Sequence, residues 1–457
     1  MEINLAKYRE MKILVAVSGG RDSMALLHYL YNNADKFNIK LSVLNCDHGI
    51  RGESSTRDSK FVSDWCVAHK IPIITFVWDC KCYKSETAAR NWRRECYLKA
   101  LKPQVLADGS KWEGADVVAT AHHCNDNAET VLFNISRGSS VAGLVGINDV
   151  ETDDGLKLIR PLITVTREQI DDYIKEYQIP YVEDETNFTD DYTRNKIRHS
   201  VLPNLVKAVP EAVGGILRLS RLAADDEEYF DNLIKNLRLI TKTQFGAFLL
   251  SCDEKVVFKR ATVKALKLCG VDRDYTFEHV ERLYNLQFSE TGKKFCFLSV
   301  TVYKDEKGLA FCKNTYLSEE FPPQKFFDYL GNNSGIYGGQ PLILGSEHEV
   351  FDYKKRNLHQ NLRELKFDIS AIPRSSVIRT MNSGDKFKKF GGGTKNLGDF
   401  FTDKKIPVYL RSHIPVIAVG ADILAVFGVE ISEKVRVGDN TDKIMYAVSA
   451  DYLNIIK

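Results

Sequence analysis

Ile13-Leu14-Val15-Ala16-Val17-Ser18-Gly19-Gly20-Arg21-Asp22-Ser23-Met24-Ala25-Leu26-Leu27 is an apolar run that breaks at a Ser-Gly-Gly turn and resumes with helical spacing. An unbroken apolar run of this length is the pattern of a strand covered on both faces of a parallel sheet. Two adjacent glycines open backbone conformations closed to other residues and let a ligand come close. The turn thus aims several N–H groups at one point, at the positive end of a helix dipole, which is how a backbone holds phosphate. Ser18, Gly19, Gly20, Arg21, Asp22 and Ser23 form the candidate phosphate loop, with the two serine hydroxyls as added hydrogen-bonding groups. Asp22 would repel an anion unless a Mg²⁺ bridges the two, so it is the candidate metal ligand. A bare strand-to-helix turn is the plainer reading of the loop taken alone.

Outward from this stretch, strand patterns at 13–17, 41–46, 73–77 and 117–121 alternate with helix patterns at 24–31, 60–69 and 87–100. That alternation predicts an α/β fold, a doubly wound parallel sheet. Ligands in such sheets sit beyond the carboxyl ends of the strands. The loop 18–23, Asp47-His48-Gly49 and Ala121-His122-His123 all follow strands and are expected in one crevice. Backbone groups from Leu44 to Cys46, at the end of the second strand, are candidates to read the adenine edge of a nucleotide, and His48 and Arg51 are candidates to reach its phosphates, with a loop hydrogen-bonder the plainer reading of His48.

The chain has 457 residues, enough for two to four domains, and its 44% hydrophobic and 27% charged residues are ordinary for a globular protein. No apolar run reaches the length of a membrane span and the first residues lack a leader pattern, so the cytoplasm is expected. A net charge of +2 means that any nucleic-acid surface must be local. The ten cysteines show no C-x-x-C pair, which argues for reduced thiols rather than disulfides or zinc. Beyond about residue 205 the pattern changes. Helices are expected at 212–235, 256–268 and 277–286, and alternating strands at 295–302 and 309–312. The acidic run 225–228 reads as a solvated helix face. From about 316 the chain is short strands and Gly/Asn-rich turns.

Three further groups carry charge in a pattern. Arg90, Arg93 and Arg94 share one side of the helix 87–100, as a solvated basic face or a grip on phosphates. Asp126 and Glu129 lie three apart at the start of the helix after the fourth strand and face the same way, suited to a cationic substrate, a metal ion or the helix dipole. The stretch 192–221 holds Arg194, Lys196, Arg198, Lys207, Arg218 and Arg221 against the single acid Glu211. Near the other end stand Lys386, Lys388, Lys389, Lys395, Lys404, Lys405 and Arg411, interleaved with Phe387, Phe390, Phe400 and Phe401. Such a patch suits RNA phosphates, and aromatic rings can stack on bases, although most of these phenylalanines read as core.

The Ser-Gly-Gly-x-Asp-Ser loop lacks the lysine of a GxxxxGK[ST] loop. It resembles instead the pyrophosphate loop (PP-loop) of N-type ATP pyrophosphatases, which cut ATP between the α and β phosphates and pass AMP to a substrate oxygen. Longer stretches narrow the resemblance. DHGIR, ETAARNWRR, TAHHCNDNAETVLFNISRGSSVAGLVGI, LIRPLITVTREQIDDYI, VEDETNFTDDYTRNKIRHSVLP and MNSGDKFKKFGGGTKNLGDFFTDKKIPVYLRSHIPVI are similar, in order and spacing, to the tRNA(Ile)-lysidine synthetases. The match is weakest over 222–370.

The resemblance implies a PP-loop ATP pyrophosphatase domain at 1–204, a mainly helical substrate-specificity domain at 205–314 and a small α+β tRNA-binding domain at 315–457. It implies the substrates ATP, L-lysine and tRNA(Ile) with a CAU anticodon, Mg²⁺ as cofactor, and lysine joined to C2 of the wobble cytidine through an adenylated intermediate. Asp22, Asp126, Glu129 and Arg194 become the candidate catalytic residues, with Asp126 and Glu129 holding lysine and Arg194 holding phosphate or the activated base. Arg90, Arg93, Arg94, Lys196, Arg198 and the C-terminal cations become candidate tRNA contacts, the last at the acceptor stem. Three features depart from the pattern: Asn125 stands where many members carry an aspartate, Ser140 replaces a glycine, and the connection around 111–114 is long. Alternatives are a tRNA thiolase, disfavoured by the absent C-x-x-C pairs; an amide-forming synthetase, which lacks its glutaminase here; and a non-catalytic RNA-binding protein. The sequence does not set the oligomeric state, and a homodimer is kept open.

Overall fold

A computed structural model of the chain describes residues 1–47, 53–78, 86–106, 109–153, 155–183, 193–272, 274–331, 335–337, 340–357, 361–439 and 441–453. His48 and Arg51, Cys80 and Cys82 of the ten cysteines, Ser85, the expected N-cap of the helix at 87–100, and the stretch 184–192 lie outside the described residues. The chain divides into two compact units, Met1–Tyr229 and Phe230–Lys457.

The first unit alternates β1 (Lys12–Ala16), α1 (Arg21–Phe37), β2 (Lys40–Asp47), α2 (Glu53–Ala68), β3 (Ile73–Val77), α3 (Glu86–Ala100), β4 (Val117–Ala119), α4 (Cys124–Ser136), β5 (Val150–Asp153), β6 (Leu156–Ile159) and α5 (Arg167–Tyr177). Among the described residues the strands form one sheet in the order β3-β2-β1-β4-β6-β5. All pairs are parallel except the β5/β6 hairpin at the edge. The order reverses between β1 and β4, and a doubly wound sheet opens its ligand crevice at that point.

The unbroken apolar run of β1 has a direct structural cause. Successive strand side chains point to opposite faces. Ile13, Val15 and Val17 pack with Met24, Leu27 and Leu30 of α1, with Val62 of α2 and with Ile170 of α5. Leu14 points the other way and joins Leu44, Ile74, Val118 and Ala100 of α3. Both faces are covered, so the buried positions Ile13, Leu14 and Val15 are all apolar. Each such side chain contributes roughly 2 kcal/mol by leaving water.

The expected helices of the middle region appear as Ala212–Asn236, Lys255–Leu268 and Phe277–Leu286. In the acidic run, Asp225, Asp226 and Glu228 are exposed, as a solvated face requires. The stretch 295–302 is not one strand. Lys294–Phe297 and Val300–Lys304 form a hairpin that turns at Leu298, whose φ is 50°. Two strands not foreseen, Ile240–Thr243 and Gly246–Leu250, join them and Gly308–Lys313 in an antiparallel sheet of five described strands. Farther on lie a mixed sheet of seven described strands and an antiparallel sheet of four. Phe245 and Phe248 of the middle sheet share one core with Phe387, Phe400, Phe401 and Tyr409. No helix among the described residues is long and apolar enough to cross a membrane.

Candidate active site

The loop between β1 and α1 closes on itself through its own hydroxyls. The Gly20 N–H donates to Ser18 Oγ at 3.3 Å, the Ser18 N–H donates to Ser23 Oγ at 3.3 Å, and Ser23 Oγ donates to the Gly20 carbonyl at 2.8 Å. Gly19 has φ +86°, and a Cβ there would stand 3.4 Å from Val62 Cγ2. Gly20 is the N-cap of α1 and supplies no side-chain cap, so N–H groups of the first turn are left for an anion.

Asp22 stands in that first turn, and its Oδ1 is buried without a hydrogen-bond partner. Burial raises its carboxyl above the ordinary range, against the opposing pull of His123 and Arg21. Arg21 itself is turned toward α5, with Nη1 2.8 Å from Asp171 Oδ1. Arg21 Nε is 3.7 Å from that Oδ1, and a carboxylate oxygen with no hydrogen bond beside a phosphate-shaped turn fits a hard cation. No group of three or more His, Cys, Asp or Glu among the described residues is arranged to hold a metal ion. A Mg²⁺ ion needs no such group, since it keeps several waters and shares its shell with substrate phosphates.

Across the crevice, α4 begins at His123, its N-cap. The imidazole Nδ1 accepts from the Asn125 N–H at 3.2 Å, and Asp126 Oδ2 accepts from the His123 N–H at 3.0 Å. Nδ1 is thus an acceptor and Nε2 carries the proton. His123 Nε2 lies 3.5 Å from Asp126 Oδ2 and 3.7 Å from Asp22 Oδ2, which joins the two sides of the crevice. The sequence placed the adjacent histidines only in the crevice after the fourth strand. The signal for His123 was the acid three residues on, a capping-box spacing with histidine in place of Ser or Thr.

Asp126 and Glu129 are 9% and 2% exposed and do share one face. Between them sits a cation from the chain itself. Arg198 Nε donates to Glu129 Oε1 at 2.8 Å, and Nη2 donates to Glu129 Oε2 and Asp126 Oδ1 at 2.9 Å each. Burial alone would raise the Asp126 carboxyl, but His123, His122 and Arg198 hold it below its usual value. Arg194 lies alongside, with Nη2 donating to Thr130 Oγ1 at 3.1 Å and Nε 3.7 Å from Glu129 Oε2. Arg198, expected as a tRNA contact, is thus in the acidic pair; Lys196, beside it, is exposed. Asn127 anchors the back of α4. Its Nδ2 donates to Ser220 Oγ at 3.0 Å and its Oδ1 accepts from the Ile147 N–H at 2.7 Å.

The remaining candidates spread wider. The Cys46 thiol at the end of β2 is pushed up by its hydrogen bond to Cys96 and by burial. Arg90 and Arg93 are exposed on α3 and Arg94 is half-buried. Arg160, after β6, was not singled out in the sequence; it donates to the Asn148 carbonyl at 2.7 Å and to Glu151 Oε2 at 2.5 Å. In the second unit Lys386 and Lys388 are exposed on either side of buried Phe387, the alternation of a strand with one wet face. Lys389 and Lys395 both pair with Asp403, at 2.5 and 2.8 Å, and hold its carboxyl down at about 2. Lys404 pairs with Glu430, Lys405 Nζ is 3.9 Å from Glu306, and Arg411 donates to the Ile406 carbonyl at 2.9 Å. Phe400 and Phe401 are core, whereas Phe390 is 48% exposed under the Arg436 guanidinium.

The parallel sheet with its Ser-Gly-Gly loop at the switch point defines a PP-loop nucleotide-binding protein, and a family model described as the PP-loop domain matches residues 2–205. A second, described as the TilS substrate C-terminal domain, matches 377–447. The tRNA(Ile)-lysidine synthase of Caldanaerobacter subterraneus subsp. tengcongensis is 30% identical, over 96% of this chain and 93% of that protein. That of Clostridium tetani is also 30% identical, over 95% and 93%. Among solved structures, the U34-tRNA thiolase NcsA of Methanococcus maripaludis aligns over 47% of this chain and 72% of its own, at 17% identity and a TM-score of 0.39. The chain belongs to the tRNA(Ile)-lysidine synthase family.

Proposed function

We propose that the crevice between β1 and β4 carries out both halves of lysidine formation, with Asp22 on the nucleotide side and Asp126 and Glu129 on the lysine side. The chain is a PP-loop ligase that uses ATP to form lysidine on tRNA(Ile), the activity of its family. The observation that carries the finer assignment is the buried pair Asp126/Glu129, already shaped around a cation and joined to Asp22 through His123.

In the first step the C2 oxygen of the wobble cytidine attacks the α phosphorus of ATP and pyrophosphate leaves. The turn N–H groups of α1 stabilise the charge on the leaving phosphates. Asp22 would hold Mg²⁺, whose charge neutralises those phosphates when bound. In the second step the lysine ε-amine attacks C2, and AMP departs with the former C2 oxygen. The amine is an ammonium at neutral pH and must shed a proton first. A carboxylate of the Asp126/Glu129 pair orients the ammonium and receives that proton. Arg194, within reach of Glu129, supports the negative charge of departing AMP. Arg90, Arg93, Arg94 and Lys196, and Lys386, Lys388, Lys389, Lys395, Lys404, Lys405 and Arg411 in the second unit, supply tRNA contacts. Residues 205–314 are where the tRNA is told from other CAU-anticodon tRNAs. The place of action is the cytoplasm, where tRNA is modified, and a homodimer is tested by sedimentation.

The test is incorporation of labelled lysine into unmodified CAU-anticodon tRNA(Ile) with ATP and Mg²⁺, for wild type and Asp126→Asn. The expected result is label from wild type and at least about a 100-fold loss in the variant, the cost of breaking a buried charged group's contacts. Equal incorporation by a folded Asp126→Asn protein rejects the lysine assignment. A wild type that releases pyrophosphate without fixing lysine rejects the reaction.

A further inference from the structure

We propose that Arg198 is a resident occupant of the cation seat made by Asp126 and Glu129, so that substrate lysine enters by exchange with its guanidinium. This rests on the assignment of that seat to lysine. Two carboxylates 9% and 2% exposed cannot stay ionised without a partner. Arg198 supplies one, through three hydrogen bonds of 2.8 to 2.9 Å. Three of the pair's four carboxylate oxygens already accept from that guanidinium and the fourth, Asp126 Oδ2, accepts from the His123 N–H, so a lysine ammonium seeking these oxygens competes with Arg198 for them.

The backbone under Arg198 is suited to the exchange. Thr193–Lys196 and Leu202–Ala208 are α-helical, but Ile197–Val201 between them is a π-helical turn, with the Leu202 N–H bonded to the Ile197 carbonyl. Such turns carry a surplus residue and recur at functional sites. The Arg198 side chain is 29% exposed, so it has a route to solvent, whereas Glu129 has almost none. The seat stays compensated while empty, and only a cationic side chain can replace the occupant. Arg198 is therefore a positioning residue that sets selectivity for a basic amino acid.

Kinetics of lysine incorporation separate this from a structural role. The KM for lysine is expected to fall in the order wild type, Arg198→Lys, Arg198→Gln, by about ten-fold overall, because the competing occupant is weakened and then removed. Millimolar methylguanidinium, which refills the seat, should raise the KM of Arg198→Gln back toward wild type. An unchanged or raised KM in Arg198→Lys, with a cooperative thermal melt, overturns the exchange; that variant keeps the test valid if the glutamine protein does not fold. Calorimetric titration of lysine into Asp126→Asn and Glu129→Gln tests the seat itself. Lysine binding retained there rejects the seat. Binding lost there, with unaltered KM in the arginine variants, rejects only the exchange.

Discussion

Asp22, half-buried, and Asp126, buried, are carboxylates on one crevice, and their surroundings push them in opposite directions. Asp22 is raised by burial, so its ionised form costs the fold stability at neutral pH. That cost is full above its raised folded pKa and vanishes below the unfolded value near 3.8. Asp22→Asn should therefore raise the melting temperature at pH 7 without ligands, with the gain shrinking toward pH 3, while abolishing pyrophosphate release. A lower melting temperature at pH 7 contradicts this reading of an Oδ1 that has no hydrogen bond and only Arg21 Nε at 3.7 Å. Asp126 is lowered, by His123, His122 and Arg198 acting against burial. Its stabilisation is present above about 3.8 and is lost as pH falls through the lower folded value. Denaturant midpoints between pH 5 and pH 2 should fall less steeply for Asp126→Asn than for wild type. Neither direction was legible in the sequence, which shows two aspartates of one type and not the neighbours that separate them.

At the scale of elements, the β1–α1 turn is the proposed seat of the phosphate chemistry and Gly19 shapes the turn. Its φ of +86° lies in the left-handed region, where a side chain strains the backbone, although an added Cβ would meet Val62 of α2 only at ordinary contact distance. Gly19→Ala should cost about 1 kcal/mol of stability and, because the N–H groups lose their common aim, a much larger share of ATP turnover. Chemical denaturation paired with pyrophosphate release measures both; activity loss in mere proportion to lost stability contradicts a ligand role for the turn. This element was legible because glycine, serine and an apolar run are local signals. The hairpin at Leu298 was not, since alternation continues through a turn made by a non-glycine residue at positive φ. Gly246–Leu250 escaped notice because its partner Gly308–Lys313 is distant in sequence, and Ile240–Thr243 joins the sheet through its hairpin with Gly246–Leu250.

For the whole molecule, a net charge of +2 leaves RNA binding to local surfaces. The C-terminal cations are unequal in this respect. Lys389, Lys395 and Lys404 are engaged with acids, while Lys386 and Lys388 are exposed on the wet face of their strand. Lys386→Ala and Lys388→Ala should each weaken tRNA binding and reduce its salt slope by about 1, with lysine-independent pyrophosphate exchange chemistry intact. A filter-binding series across salt concentrations decides it, and an unchanged slope removes these two lysines from the interface.

By itself the sequence determined the doubly wound sheet, the phosphate turn, the facing pair Asp126/Glu129 and the family, because each is written in local spacing or in contiguous motifs. Tertiary structure alone decided that Arg198, 69 residues beyond Glu129, closes on that pair, that His123 links it to Asp22, and that the middle sheet shares its core with the C-terminal helices. Those contacts depend on where the sheet order reverses and on which side chains burial brings together, and neither is a property of neighbouring residues in the chain.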